Sequence, residues 1–288
     1  MKRISLFLII FLLLFCLSAC APQTEYPQVV ATTLPVYEFT ARLCQGTDIR
    51  VGRLVTESVS CLHDYSLRVD QMRMIERADA VIISGAGLED FLDDVISGKS
   101  VIDASANVHL HGIGGHHHAE HSHDDDPHIW LSPENASVMA QNICAGLIQQ
   151  HPAYADQFKE NLSTLQEDLV SLQNYADTML NNLSCRQLLT FHDGFGYLAE
   201  SFHLTVLEAV EEESGSEASA REIIHLANLV TEHELPAVFI ERSGSDACAK
   251  VISAETGVKI FTLDMAMAGN SYFDAMYHNI DTLKEALK

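Results

Sequence analysis

One unbroken apolar stripe constrains this chain more than any other feature. Tyr154, Phe158, Leu162, Leu165, Leu169, Leu172, Tyr175, Met179 and Leu183 recur three and four residues apart. That spacing places them on one face of a helix. No glycine or proline occurs between Ala153 and Ser184. The stripe predicts one helix over residues 151–184, and about 30 residues at 1.5 Å each make a rod of roughly 45 Å. Such a rod can bridge two globular units and join them stiffly. A coiled-coil seam carries the same spacing and is the competing reading.

On both sides of the stripe, short β-type runs alternate with amphipathic ones. Before it, strands are predicted at Val29–Leu34, Ile49–Val55, Asp79–Ser84 and Ser100–Asp103. Helices follow from Pro35, over Ser66–Arg77 and over Leu88–Ile96. After it, strands are predicted at Gln187–Phe191, Thr205–Val210, Ala237–Ile240 and Lys259–Leu263. The helices between and beyond them cover Phe195–Phe202, Ala218–His233, Ala247–Thr256 and Ser271–Leu287. Nearly continuous apolar strands suit parallel sheets covered on both faces. The expected fold is therefore α/β, with two lobes, each a small parallel sheet flanked by helices, joined by one long rigid helix. The expected lobes are 29–150 and 185–288, with 151–184 between them.

The first residues read as an address. Lys2-Arg3 precedes an apolar run from Ile4 to Leu17, which is followed by Ser18-Ala19-Cys20. A charged start, a short apolar stretch and small residues at a cut make a secretory signal. The stretch is shorter than the roughly 20 residues of a spanning helix. The cysteine after Ser-Ala resembles a bacterial lipobox. That resemblance implies a signal peptide over 1–19, lipid on Cys20 and a tether over 20–28, with the protein held outside the cytoplasm on the bacterial membrane.

Composition narrows the partners. The 288 residues include 17 Lys+Arg, 40 Asp+Glu and 15 His, a net charge of -23. Losing Lys2 and Arg3 makes the mature chain more acidic still. Phosphate binding needs basic residues, so a nucleic-acid partner is excluded. Seven cysteines occur, none in a CxxC pair, which argues against a thiolate zinc site. Of these, Cys44, Cys61, Cys144, Cys185 and Cys248 remain in the mature chain beyond Cys20. Each is as readily a buried small residue as one half of a bridge.

Histidine is nearly as abundant as Lys and Arg together, and its placement suggests metal. His63, His128, His192 and Asp264 sit just past predicted strand ends. Ligands of open α/β sheets collect beyond the carboxyl ends of strands. Three imidazoles and a carboxylate complete a four-donor shell that favours zinc over hard-oxygen metals. Glu217, Glu241 and the Cys61 thiolate are less favoured donors. A carboxylate should orient each imidazole, and Asp64 and Asp193 are adjacent candidates. A second cluster, His109, His111, His116, His117, His118, His121 and His123, fills a glycine-containing stretch followed by Asp124 to Asp126. Such tracts bind metal, here as an auxiliary capture or sensing loop over 109–123.

From Val29 to Leu287 the chain resembles the metal-binding substrate-binding lipoproteins of zinc and manganese ABC transporters, the cluster A-I or cluster 9 family. Asp126-Pro127-His128-Ile129-Trp130-Leu131-Ser132-Pro133 and Phe191-His192-Asp193-Gly194-Phe195-Gly196-Tyr197 carry the resemblance most specifically. His63-Asp64-Tyr65 and Leu263-Asp264 match weaker motifs. Ser60-Cys61-Leu62 stands where the family has Val-Asp-Pro, and Met265 where it has proline. The resemblance implies His63, His128, His192 and Asp264 as ligands. His192, in place of the glutamate of manganese members, implies Zn²⁺ rather than Mn²⁺, and so does the histidine loop.

The expected function is high-affinity capture of zinc outside the cytoplasm and its delivery to an ABC-type zinc permease by a monomeric, non-enzymatic protein. A manganese- or iron-binding member of the same family is the alternative. A zinc hydrolase is less favoured, because four protein ligands leave no position for water. Glu232-His233-Glu234 also lacks the partner histidine of an HExxH site. An adhesin role finds no encoded groove or strand edge.

Overall fold

The computed structural model describes residues 26–57, 62, 65–111, 125–210 and 219–288. The signal segment, Cys20, Cys61, His63, Asp64, Glu217 and the loop histidines from His116 to His123 lie outside these residues. Two four-stranded parallel sheets form the frame. The first holds β1 (Val29–Ala31), β2 (Val51–Arg53), β3 (Ala80–Ile83) and β4 (Ser100–Asp103) in the order β2-β1-β3-β4. The second holds β5 (Gln187–Phe191), β6 (Thr205–Ala209), β7 (Ala237–Glu241) and β8 (Lys259–Leu263) in the order β6-β5-β7-β8. In each sheet a central strand is buried on both faces: Val29, Val30 and Ala31 are fully buried, as are Leu188, Leu189 and Thr190.

The first lobe's helices are α1 (Leu34–Leu43), α2 (Val69–Arg77) and the short α3 (Asp93–Ile96). Two long helices follow, α4 (Pro133–Gln150) and α5 (Ala155–Met179). The second lobe adds α6 (Gly196–Ser201), α7 (Ala220–Glu232), α8 (Ala247–Thr256) and α9 (Tyr272–Leu287). Most expected elements are present with trimmed ends. The helix expected over Leu88–Ile96 is instead a 3-10 turn at Asp90–Leu92 running into α3, in a segment whose preceding Gly85, Ala86 and Gly87 all take positive φ.

The long helix is shorter than its stripe. A 3-10 turn at Pro152–Tyr154 precedes it, and its 25 residues end at Met179. At the stop, Arg186 Nη2 donates to the carbonyls of Leu180 at 2.9 Å and Asn181 at 3.1 Å. A cation on the last carbonyls satisfies acceptors that a further turn would otherwise use. Leu183 still packs against the core from beyond the helix. The helix is no coiled-coil strand: it packs within the chain against α4, α1 and α9. Asn161 Nδ2 donates to Leu43 O at 2.7 Å near one end, and Tyr175 Oη to Asp281 Oδ1 at 2.7 Å near the other. Arg42 of α1 pairs with Asp168 between them.

The sequence reading missed α4, the 18-residue helix ahead of the stripe. Its signals are ordinary ones: Ser132 as N-cap, Pro133 at the first position, and buried Ala136, Met139, Ala140, Ile143 and Leu147 at helical spacing. One hydrophobic cluster runs from Phe39 through Trp130, Leu147 and Leu165 to Phe239 and Leu283, joining both lobes. Two smaller clusters sit on the outer flanks of the sheets. Among the described residues no helix is long and apolar enough to cross a membrane. No disulfide joins the four described cysteines. Burial raises the Cys44 thiol to about 12.

Candidate metal centre

His128 is built by the residues around it. Asp126 Oδ1 accepts from the His128 backbone N–H at 2.9 Å and from its Nδ1 at 2.8 Å. The second bond fixes the proton on Nδ1, which leaves the Nε2 lone pair for a ligand. Asp126 is held in turn: its N–H donates to His111 O at 2.9 Å, and Tyr197 Oη donates to its carbonyl at 3.1 Å. Burial pushes that phenol up to about 12, so it stays a donor. Beyond His128 come the fully buried Ile129, Trp130 and Leu131, then the Ser132 cap of α4. His128 was expected near a strand end; it stands instead at the entry to α4, well after β4 ends at Asp103. The carboxylate that orients this ring is Asp126, two residues back; Asp64 lies outside the described residues.

His192 follows β5 directly, as the strand pattern predicts. Thr190 Oγ1 donates to its carbonyl at 2.9 Å, shaping the exit from the strand. The His128 and His192 rings lie 5.2 Å apart at 80°. The Nε2 of His192 is buried and has no hydrogen-bond partner among the described residues. A polar atom left so costs about 1–3 kcal/mol unless a ligand takes it up. Burial, then the neighbouring His128, lowers the His192 pKa to about 4, against a smaller opposing pull from Asp193 and Asp126. The ring is neutral at neutral pH, the form that binds metal. Gly194 makes the approach of the two segments possible. A Cβ there would lie 2.6 Å from His128 Nδ1 and 2.5 Å from Met265 Cε.

Asp264 follows β8 directly and is tied on every side. Its N–H donates to Asn279 Oδ1 at 2.8 Å, and Asn279 Nδ2 returns a bond to its carbonyl at 2.7 Å. Its Oδ1 accepts from Ala266 N–H at 2.8 Å, bracing a residue at φ 55°. Its Oδ2 lies 3.0 Å from Arg242 Nε. Trp130 links this segment to the histidine segment: its Nε1 donates to Met265 O at 2.7 Å, and Tyr272 Oη donates to Trp130 O at 2.8 Å. Glu241, at the end of β7, is buried, and burial raises its pKa to about 7, with His128 pulling it down and Asp264 pushing it up. Glu241, Arg242, Ser243, Asp264 and Met265 line a cavity of about 280 Å³ that Thr56 of the first lobe helps to close.

The structure thus brings His128 and His192 together, with Asp264 held nearby by Arg242. Among the described residues no three His, Cys, Asp or Glu side chains converge as a metal shell. His63 lies outside those residues. Of the auxiliary cluster, His109 and His111 are described. His111 stacks on Tyr197 with centroids 4.6 Å apart, and its Nε2 lies 3.0 Å from Glu200 Oε2.

Residues 29–286 match the model of the family described as ZnuA, zinc-uptake complex component A, periplasmic. The chain belongs to the ZnuA family. The zinc-binding protein AdcA of Streptococcus pyogenes serotype M3 is 29% identical over 286 residues, covering 89% of this chain and 55% of that protein. The zinc-binding lipoprotein AdcA of Streptococcus pneumoniae R6 is 29% identical over 308 residues, covering 99% of this chain and 61% of that protein. The chain spans little more than half the length of these two relatives. A zinc-bound crystal structure of a ZnuA deletion mutant superposes with a TM-score of 0.77 at 24% identity, over 91% of this chain and 98% of that one. At that identity the likeness concerns the fold, and it agrees with the two parallel four-stranded sheets described above. The family's description places its members in the periplasm as one component of a zinc-uptake complex.

Proposed function

We propose that this protein captures Zn²⁺ outside the cytoplasm and hands it to an ABC-type permease. The observation that carries the reading is the His128–His192 pair: two imidazoles 5.2 Å apart, one oriented by Asp126 and the other with a buried, unpartnered Nε2. Zinc is the cargo, held by His63, His128, His192 and Asp264. Imidazole donors suit zinc better than manganese, which prefers carboxylate and water. Both the family description and the AdcA relatives' names support zinc.

No covalent chemistry belongs to this role. His192 is neutral at the pH of use, so capture at this residue needs no proton to leave. Asp264 supplies negative charge and Asp126 keeps His128 presented. The chain is held on the membrane through lipid on Cys20, a reading supported by the lipoprotein name of the pneumococcal relative. It acts as a monomer of two lobes, 29–150 and 185–288, with 151–184 as the stiff connection. The 109–123 histidine tract serves as an auxiliary metal loop.

X-ray absorption at the zinc edge tests the proposal on protein loaded with less than one equivalent of Zn²⁺. The expected spectrum shows nitrogen and oxygen donors at about 2.0–2.1 Å with imidazole scattering. A sulfur shell at about 2.3 Å would instead put a cysteine in the site and overturn the ligand set.

A further inference from the structure

We propose that Arg242 sets the affinity and release rate of the captured cation by competing with it for Asp264. This inference rests on Asp264 being a ligand, as proposed above. Both carboxylate oxygens are already engaged: Oδ1 by the Ala266 N–H and Oδ2 by Arg242 Nε at 3.0 Å. The acid is mostly buried, with 14% of its side chain exposed, whereas the Arg242 side chain is 55% exposed. The guanidinium therefore reaches the carboxylate from the solvent side, across the cavity they both line.

The pairing is built by the sheet. Glu241 of β7 registers with Leu263 of β8, so the next residues, Arg242 and Asp264, leave the two strands side by side. The Arg242 N–H donates to Leu263 O at 2.9 Å, which continues the ladder and fixes the arginine backbone there. Asp264 is fixed by its two bonds with Asn279. Neither backbone can retreat, so the competition is between side chains alone.

A dication on Asp264 must share the carboxylate with this fixed positive charge or displace it. Arginine stays charged at any pH the protein meets. It weakens cation binding at all times and reclaims the carboxylate as the ion leaves. A protein that must surrender its cargo gains from that arrangement: the same contact that lowers affinity lowers the barrier to release. Charge repulsion from a group outside the coordination shell is also the element that salt screens most readily.

The test is a set of four full-length proteins: wild type, Arg242→Gln, Asp264→Asn and the double variant. Zinc affinity is read by competition with a chromophoric chelator at less than one equivalent of Zn²⁺. Dissociation is followed by stopped-flow transfer to excess chelator. Arg242→Gln is expected to bind about tenfold more tightly, a change of about 1.4 kcal/mol, and to release zinc correspondingly more slowly. The gain should shrink at high salt and should vanish in the Asp264→Asn background. Arg242→Lys, which keeps the charge, should stay close to wild type. An Arg242→Gln protein that binds equally or more weakly, while Asp264→Asn loses affinity, overturns the competition and makes Arg242 a support for the ligand. If Asp264→Asn binds as wild type does, Asp264 is no ligand, and the reading of the site fails with the inference.

Discussion

Substituting Gly194 by alanine should weaken zinc binding without unfolding the protein. The backbone at Gly194 is not in the left-handed region, so the only obstacle is space. The added Cβ would meet Met265 Cε at 2.5 Å, His128 Nδ1 at 2.6 Å and His128 Cε1 at 2.8 Å. The methionine terminus is flexible and can turn aside. The imidazole cannot do so freely, because Asp126 holds it at 2.8 Å and Trp130 packs edge-on against it at 5.4 Å. Relief of the clash therefore stretches or breaks the bond that orients the ring. Loss of such an orienting contact costs about 10–100-fold in metal affinity, or about 1.4–2.7 kcal/mol. Chelator competition measures the affinity, and thermal unfolding of metal-free protein measures the fold. Gly257→Ala is the control. Its φ of 78° makes a side chain strained, yet nothing lies within 4 Å, so it should cost stability of about 1 kcal/mol and leave zinc binding unchanged. Wild-type affinity in Gly194→Ala would refute the claim that the Gly194 approach holds His128 in place.

Three further outcomes follow from particular contacts. Trp130→Ala removes a fully buried ring and the bond to Met265 O; it should lower stability to urea by about 3–5 kcal/mol and also weaken zinc binding. Glu89 is buried, accepts from Thr32 Oγ1, Ser84 N–H and Gly85 N–H, and is raised by burial to about 7. Its folded value lies above the unfolded one, so its contribution is full below about pH 4.5 and is lost as pH rises through 7. Relative to Glu89→Gln, wild-type stability should fall by about 3 kcal/mol between pH 4.5 and 8, and a flat difference would contradict this. The low His192 value gives the opposite dependence for binding. The ratio of zinc affinities between wild type and His192→Ala should stay level from pH 7.5 to 5.5 and shrink only towards pH 4, whereas an unperturbed imidazole would lose it near pH 6.5.

Much of the frame was legible because apolar runs end sharply at breakers. Gln187–Phe191 and Lys259–Leu263 have the bounds that their sequences suggest, each a mostly apolar, β-branched and aromatic run that stops at a polar residue. His192 and Asp264 were legible for the same reason, as the first residues after those strands. The end of the long helix was not, because the apolar spacing runs on to Leu183 while the helix stops at Met179, where Arg186 takes up the carbonyls of Leu180 and Asn181. Helix α4 was legible but overlooked behind the louder stripe that follows it. Asp126 could have been found, since an aspartate two residues before a histidine can bond both the backbone and the ring. The pairing of Arg242 with Asp264 could not, because it depends on the β7–β8 register, which no local pattern specifies. His63 lies outside the described residues and rests on its motif alone.

On the proposed function, one zinc ion binds tightly between the two lobes through His192, independently of the histidine tract. The most direct measurement is calorimetric titration of chelator-stripped protein, residues 21–288, with Zn²⁺ and with Mn²⁺, repeated on His192→Ala and on a variant lacking residues 109–123. One tight zinc site should survive loss of the tract and disappear with His192→Ala, and manganese should bind more weakly. Tight zinc that disappears only with the tract would contradict the proposed function, and would make this protein a histidine-loop metal buffer instead.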